Sequence, residues 1–478
     1  MRNTQKKLAE DYSQDGRSNL WRIDAGAIAP AVSISQPRSV WRSVSSYQWL
    51  VLVVAWLGWV FDTMDGTLFS LVLKPCMTEL MGPGATQATI NFYSGIVFSA
   101  MLLGWALGGL GFGIFADYMG RSKTLAVTIL IYSVFTGVSA LALTWWHLAA
   151  FRFLTGLGLG GEWAAGAALI AEIWPTQLRA RAGALLQSAG VVGYFLAAVI
   201  NLYVGIYSWR YVYLVGIVPA LLVFVVRRVV REPDSWTDVN NRRRLARLER
   251  TRPGSTQSNE AAELSKFTLK QMFSPQLRRD SLIGAILSFV VLFVLWGATL
   301  WIPSAIREFA AAASSGLSGA AMEQYLTRYA SYGTILLNCG AFIGCLIFGP
   351  LSDRIGRRPT FLIYFVGGLI SLPAALMFTS GLTQVFALLP LVGFFTLGVT
   401  SGFPIYLPEL FPTYMRTTGV GFCYNLGRVV TAGTVIFAGY LVGVLGSTAK
   451  AASAVSLIFI VGIVTLIFAR ETRGQRLM

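Results

Sequence analysis

Apolar residues in this chain come in long runs, not in the three- or four-residue stripes of a soluble helix. A helix that crosses a bilayer needs about 20 predominantly apolar residues. Twelve stretches meet that length: 48–73, 91–114, 124–143, 146–170, 181–204, 210–230, 281–303, 331–350, 359–379, 383–406, 418–445 and 450–469. They fall six and six around one long polar stretch. The pattern predicts an all-α membrane protein with a polar tail over 1–47, a six-helix bundle over 48–230, a central loop over 231–280, a second bundle over 281–469 and a short tail over 470–478.

Composition agrees. The 478 residues are 55% hydrophobic and 13% charged, about half the charged share of a soluble domain. The net charge of +16 raises nucleic acid as a partner, but its placement points elsewhere. With twelve spans, 31 of the 38 Lys and Arg residues fall on one side and five on the other, with Arg152 and Arg428 inside spans. Basic loops mark the cytoplasmic face, so both termini and the central loop are expected in the cytoplasm, beside the anionic inner leaflet. The expected site is the plasma membrane, a bacterial inner membrane fitting best. No cleavable signal peptide is expected, because the first apolar run follows a long polar tail. Cys76, Cys339, Cys345 and Cys423 show no paired spacing, so neither a disulfide framework nor a metal site is expected. His147 is the one histidine; it follows Trp145 and Trp146 and reads as an interfacial residue.

Two strings occur twice. GIFADYMGRSK (113–123) returns as GPLSDRIGRRP (349–359), with Gly113, Asp117, Gly120 and Arg121 each matched 236 residues later. AEIWPTQLRARAG (171–183) returns as PELFPTYMRTTG (408–419), with Glu172, Pro175 and Arg179 matched 237 residues later by Glu409, Pro412 and Arg416. The chain is thus a duplication, and each half carries the same charged, glycine-punctuated turn. These strings resemble the major facilitator superfamily over about 48–470. The resemblance implies two pseudo-symmetric six-helix bundles with a substrate site between them near mid-membrane, working by alternating access. RFLTGLGLGGEWAAG (152–166) and PELFPTYMRTTGVGFCYNLGR (408–428) are similar to the branch of proton-coupled organic-anion carriers, which includes sialate, lactate and aromatic-acid symporters, and they overlap with sugar and metabolite carriers.

Ionisable groups inside spans are costly and mark function. Asp62 and Asp65 share one face of the first span. Two carboxylates so close in low dielectric cannot both ionise cheaply, so one should carry a proton; the alternative is that one neutralises a nearby arginine. Arg152 and Glu162 lie on one face of the fourth span. Arg152 can pair with Asp62 or Asp65 or meet an anionic substrate; Glu162 can serve as a second proton site or sit in a structural ion pair. Gly156, Gly158, Gly160 and Gly161 between them suit close helix contact. Arg428 in the eleventh span, with Asn425 one turn before it, has no acid on its own helix. Its guanidinium suits a carboxylate, a structural link being the alternative. Gln187, Tyr194, Tyr406, Trp296 and Trp301 are further candidates for the cavity wall, against plain packing or interfacial anchoring.

At the turns, Asp117 and Asp353 are expected to pair with basic residues, Arg179 or Arg181 in one half and Arg416 in the other. Arg121, Arg357, Glu172 and Glu409 join these networks as a cytosolic gate, the alternative being static loop ordering. The central loop carries NRRRLARLER (241–250), which suits a short amphipathic helix on the membrane surface. No nucleotide, zinc or catalytic-triad motif occurs, so an enzyme or ATP-driven pump is not expected. The reading is a secondary carrier that moves a small carboxylate with a proton and no other cofactor. A monomer is expected. A sugar or polyol carrier, a proton-coupled drug exporter and a non-transporting sensor are the alternatives.

Overall fold

The computed structural model describes residues 40–477 except 206, 251–258, 298–301, 315–317, 380, 432–440, 442–443 and 476. The described residues contain helices and no strand. The first five spans are Ser46–Met81, Gln87–Met119, Arg121–Ser139, Trp145–Ile173 and Arg179–Tyr203, and the sixth is Trp209–Val229. The seventh comprises Arg278–Gly297 and Ile302–Ala313. The eighth and ninth are Gly319–Ile355 and Arg357–Met377. The tenth is Leu382–Leu410, relaxed into a 3₁₀ turn at Gly398–Gly402, and the twelfth is Thr448–Phe468. Eleven helices among the described residues are long and apolar enough to cross a membrane. The remaining predicted span, 418–445, starts in the helix Arg416–Thr431 and continues outside the described residues.

The first helix starts where Ser45 accepts from the Gln48 amide (3.2 Å) and donates its own amide to the Gln48 side chain (2.8 Å), which satisfies two otherwise orphaned donors. Its 36 residues extend about 54 Å, past the roughly 30 Å hydrocarbon core. The repeated turns are tight for one reason. Gly120 has φ 114° and Gly356 has φ 103°, a region that L side chains avoid. Each glycine ends one span and starts the next with no intervening loop.

Duplication also shows in the packing. The second and fourth spans meet at Gly104, Gly108, Gly156 and Gly160, where an added Cβ would overlap a facing backbone carbonyl. The eighth and tenth spans meet the same way at Gly340, Gly344 and Gly393. With no hydrophobic drive between helices in lipid, close backbone approach supplies the attraction. Among the described residues the halves meet along two seams. Gly109 and Gly113 of the second span face Gly421 and Thr417 of the eleventh, and Gly349 of the eighth faces Ala180 and Arg181 of the fifth. Large apolar side chains line the outside, Phe195 at 70%, Phe224 at 73% and Ile467 at 67% exposure; a perimeter of this kind faces lipid.

The central segment departs from the expected surface helix. Helix Asp234–Arg250 buries Trp236, Val239, Arg243 and Ala246, a three-and-four spacing. That stripe packs on the loop end of the protein itself, because Trp236 and Arg243 donate to the Asp117 carbonyl at 3.1 and 2.6 Å. Helices Asn259–Ser265 and Thr268–Gln271 follow.

Candidate functional site

The two first-span acids have different surroundings. Asp65 meets the Arg152 guanidinium at 3.4 Å and accepts from the Thr136 hydroxyl at 2.6 Å. Arg152 also donates to the Ser139 hydroxyl at 3.1 and 2.8 Å and lies over the Phe69 and Tyr213 rings. Both charges are buried and satisfied, which a buried pair requires. Arg152 therefore sits in a finished ion pair, the structural one of its two expected roles. Asp62 is also fully buried, yet neither carboxyl oxygen has a hydrogen-bond partner among the described residues. Glu162 is buried as well, with the Tyr132 hydroxyl beside it. Asp62 lies within electrostatic reach of Glu162, Arg428 and Asp65.

Arg428 lies over the Trp105 ring at 4.1 Å and the Tyr424 ring at 4.8 Å and donates to the Asn425 side-chain oxygen at 3.1 Å. Asn425 is itself held by donating to the Gly421 carbonyl at 2.8 Å, and Gly109 of the facing span leaves room for its amide. Trp163 of the fourth span stacks on Tyr424 at 4.0 Å and donates to Gln187 at 3.2 Å. Tyr194 is 41% exposed although it stands within electrostatic reach of Arg428 and Asp62, so it faces an accessible space at their level. Asp62, Glu162, Gln187 and Tyr194 from one half thus converge on Asn425 and Arg428 from the other. Trp105, Trp163 and Tyr424 complete this wall; aromatic residues are so common here, 13% of the chain, that no sequence signal singles them out.

Tyr406 does not join them. Its hydroxyl donates to the Arg470 carbonyl at 2.9 Å, because its short helix, Phe403–Leu410, ends at the loop side. Trp296 is half-buried and Trp301 lies outside the described residues. His147 packs on Trp146 and contacts the Thr144 hydroxyl at 3.0 Å, at the start of its helix.

At the loop end, Arg121 pairs with Asp117 at 3.3 Å and Glu172 at 3.0 Å. In the second half Arg357 pairs with Asp353 at 3.3 Å and Glu409 at 2.9 Å. The cross-half contacts are unequal. Asp117 accepts from the Thr417 and Thr418 amides at 3.1 and 2.7 Å, at the positive end of the eleventh helix. Arg416 pairs with Glu172 at 2.6 Å, and Arg121 donates to the Thr413 carbonyl at 2.7 Å. Across the other seam, Asp353 reaches Arg181 at 3.4 Å and not the expected Arg416, which is drawn to Glu172. Arg179 turns back to the Ala171 carbonyl at 2.9 Å and the Thr176 hydroxyl at 3.2 Å. Asp117 therefore takes Arg121 and two backbone amides, not the expected Arg179 or Arg181; its neighbour four residues on is already in place, and a helix end supplies the rest. These contacts close the loop end.

Three acid and base residues at this end are not singled out by the sequence pattern. Glu232 accepts from the Arg121, Ser122 and Lys123 amides at 2.7, 3.2 and 3.1 Å. Glu471 accepts from the Arg357 and Arg358 amides at 2.8 and 3.0 Å. Each caps the helix that its half's repeated glycine starts. The signal is an Arg-Glu pair after the last span of each half, Arg231-Glu232 and Arg470-Glu471, 239 apart. Arg243, buried over the Tyr118 ring, donates to the carbonyls of Asp117 and Tyr414, one in each half; it is one of many arginines in a basic run and nothing in the sequence marks it.

Residues 52–478 match the sugar (and other) transporter family. Among individual relatives, the sialic acid transporter NanX of Escherichia coli is 29% identical over 85% of this chain and 90% of its own. The cis,cis-muconate transport protein of Acinetobacter baylyi is 27% identical over 81% and 86%, and the gallate transporter of Pseudomonas putida 27% over 81% and 84%. The solved proton:xylose symporter XylE superposes with a TM-score of 0.70 over 90% of this chain and 98% of that one at 19% identity, which shows the shared fold. Twin glycine turns, glycine seams in each half and a charged centre between the halves are thus the frame on which a family match of this extent rests: the chain belongs to the sugar (and other) transporter family and is a membrane transporter, not an enzyme, with the major facilitator fold.

Proposed function

We propose that this transporter moves small organic carboxylates together with protons by alternating access. The observation that carries the reading is the placement of Arg428. A guanidinium at mid-span, backed by Trp105 and Tyr424 and steadied by Asn425, is built to hold a carboxylate through charge and paired hydrogen bonds. The neighbouring Asp62 carboxyl lacks a hydrogen-bond partner among the described residues, and two buried acids side by side, Asp62 and Glu162, are costly in lipid unless they carry protons. Relatives named for sialic acid, muconate and gallate support a carboxylate cargo. Asp65 is assigned to holding Arg152, and the substrate-facing roles to Arg428, Asn425, Gln187 and Tyr194.

In this reading the carrier lies in a bacterial inner membrane with the repeated turns in the cytosol. The closed loop end then faces the cytosol while the centre awaits cargo from outside. Cargo and proton enter, the cross-half pairs at Glu172 and Asp353 break, and the site opens inward. The test is uptake into proteoliposomes of labelled monocarboxylates, sialic acid and neutral sugars, with and without an inward proton gradient. Carboxylate uptake raised by the gradient and lost in Arg428→Ala is expected. Sugar uptake that survives Arg428→Ala would refute the carboxylate assignment.

A further inference from the structure

Glu162 belongs to the fourth span, but its carboxyl rests against the first. An added Cβ at Gly58 would overlap a Glu162 carboxyl oxygen. Gly58 and Asp62 are four residues apart on one helix, hence on one face, with about 6 Å between successive positions. Glu162 therefore comes within about one helical turn of Asp62 because position 58 has no side chain. Both carboxyls are buried; among the described residues neither Asp62 oxygen finds a hydrogen-bond donor, and the buried Tyr132 hydroxyl stands beside Glu162. The groups that face Asp62 are Asp65 on its own helix, Tyr132, Glu162 and Tyr194 from the third, fourth and fifth spans, and Tyr424 and Arg428 from the eleventh. Asp65 is already matched to Arg152.

Charge balance follows from this placement. Two carboxylates against one guanidinium leave a net negative charge in low dielectric, which is strongly unfavourable. One proton on the two acids restores neutrality. A singly charged carboxylate arriving at Arg428 brings another negative charge, and a second proton on the acids cancels it. Building on the carboxylate–proton reading above, we propose that Asp62 and Glu162 form one two-carboxyl proton site, assembled by the bare backbone of Gly58, that takes up one proton for each singly charged carboxylate reaching Arg428. The proton moves from the outer solution to a carboxyl oxygen and leaves to the inner solution; no bond other than O–H forms or breaks. Gly58 is a positioning residue.

The experiment measures labelled monocarboxylate uptake and lumenal acidification in proteoliposomes across a pH series. The variants are Gly58→Ala, Gly58→Ala with Glu162→Asp, Glu162→Gln, and Asp62→Asn with Glu162→Gln. Wild type should move one proton per anion. Gly58→Ala pushes the carboxyls apart and removes the like-charge neighbour that helps each hold a proton, so half-maximal uptake should shift about one pH unit toward acid. In the double variant, Glu162→Asp shortens the side chain at position 162, makes room for the new Cβ and should return the profile most of the way. Glu162→Gln should shift the profile in the same acid direction, which keeps the test valid if Gly58→Ala fails to fold. The Asp62→Asn, Glu162→Gln pair should lose gradient-driven accumulation. Profiles for Gly58→Ala or Glu162→Gln that superpose on a proton-coupled wild type overturn the two-carboxyl site alone. A wild type indifferent to the proton gradient overturns the underlying reading instead.

Discussion

Glu172→Gln isolates one of the contacts that tie the two halves at the loop end. Glu172 holds two buried guanidiniums, Arg121 at 3.0 Å within its own half and Arg416 at 2.6 Å from the other. The first bond survives any rigid separation of the halves; only the second must break. Glutamine keeps the shape and one acceptor oxygen but removes the charge. A hydrogen bond to a charged group contributes about 1.5–3 kcal/mol, so the closed arrangement should lose about 2–3 kcal/mol relative to the open one, or roughly 30–150-fold in their ratio. Spin labels at Lys123→Cys and Arg354→Cys, both exposed and one in each half, report the separation once the exposed Cys339 is replaced by serine. The distance distribution should move from a single short population to a predominantly longer one. An unchanged distribution in a monodisperse, folded variant would show that the Arg416–Glu172 pair does not hold the halves together.

Other expectations follow from the same contacts. Asp65→Asn leaves Arg152 buried without its carboxylate and should cost about 3–5 kcal/mol, read as a lower thermal midpoint in detergent, whereas Asp62→Asn removes an acid with no hydrogen-bond donor and should leave that midpoint near wild type. Gly120→Ala forces a side chain to φ 114° and toward the Glu232 carboxyl, for about 1–2 kcal/mol of destabilisation; an unchanged midpoint would remove the strain argument. Arg428→Lys keeps the charge but loses the fork and the planar stacking on Trp105, so uptake should fall at least about tenfold, because the two side chains are not interchangeable at a bidentate site.

Much of the frame is legible in the sequence because membrane helices obey few rules. Apolar runs mark spans and the repeated glycine marks a turn; the structure adds that Gly120 and Gly356 take a positive φ there. The seam glycines, Gly156 and Gly160, pack as their spacing implies. The site is legible only in outline. Asp62 and Asp65 look alike on one helix face, and their different surroundings come from Thr136 and Ser139 on the third span, residues ordinary in any helix. Tyr406 is the last residue of the predicted span 383–406, and its hydroxyl reaches the Arg470 carbonyl at the loop end, not the cavity. Glu232 and Glu471 sit in polar segments where acids are unremarkable, and only the matching Arg-Glu pairs tie them to the duplication.

The central claim is that a carboxylate and a proton share one crossing. The most direct measurement places a pH-sensitive dye inside proteoliposomes clamped at zero membrane potential and adds an unlabelled monocarboxylate outside. Lumenal acidification should track anion uptake one for one and disappear in Arg428→Ala. Anion uptake with no accompanying acidification in the wild type would contradict that claim.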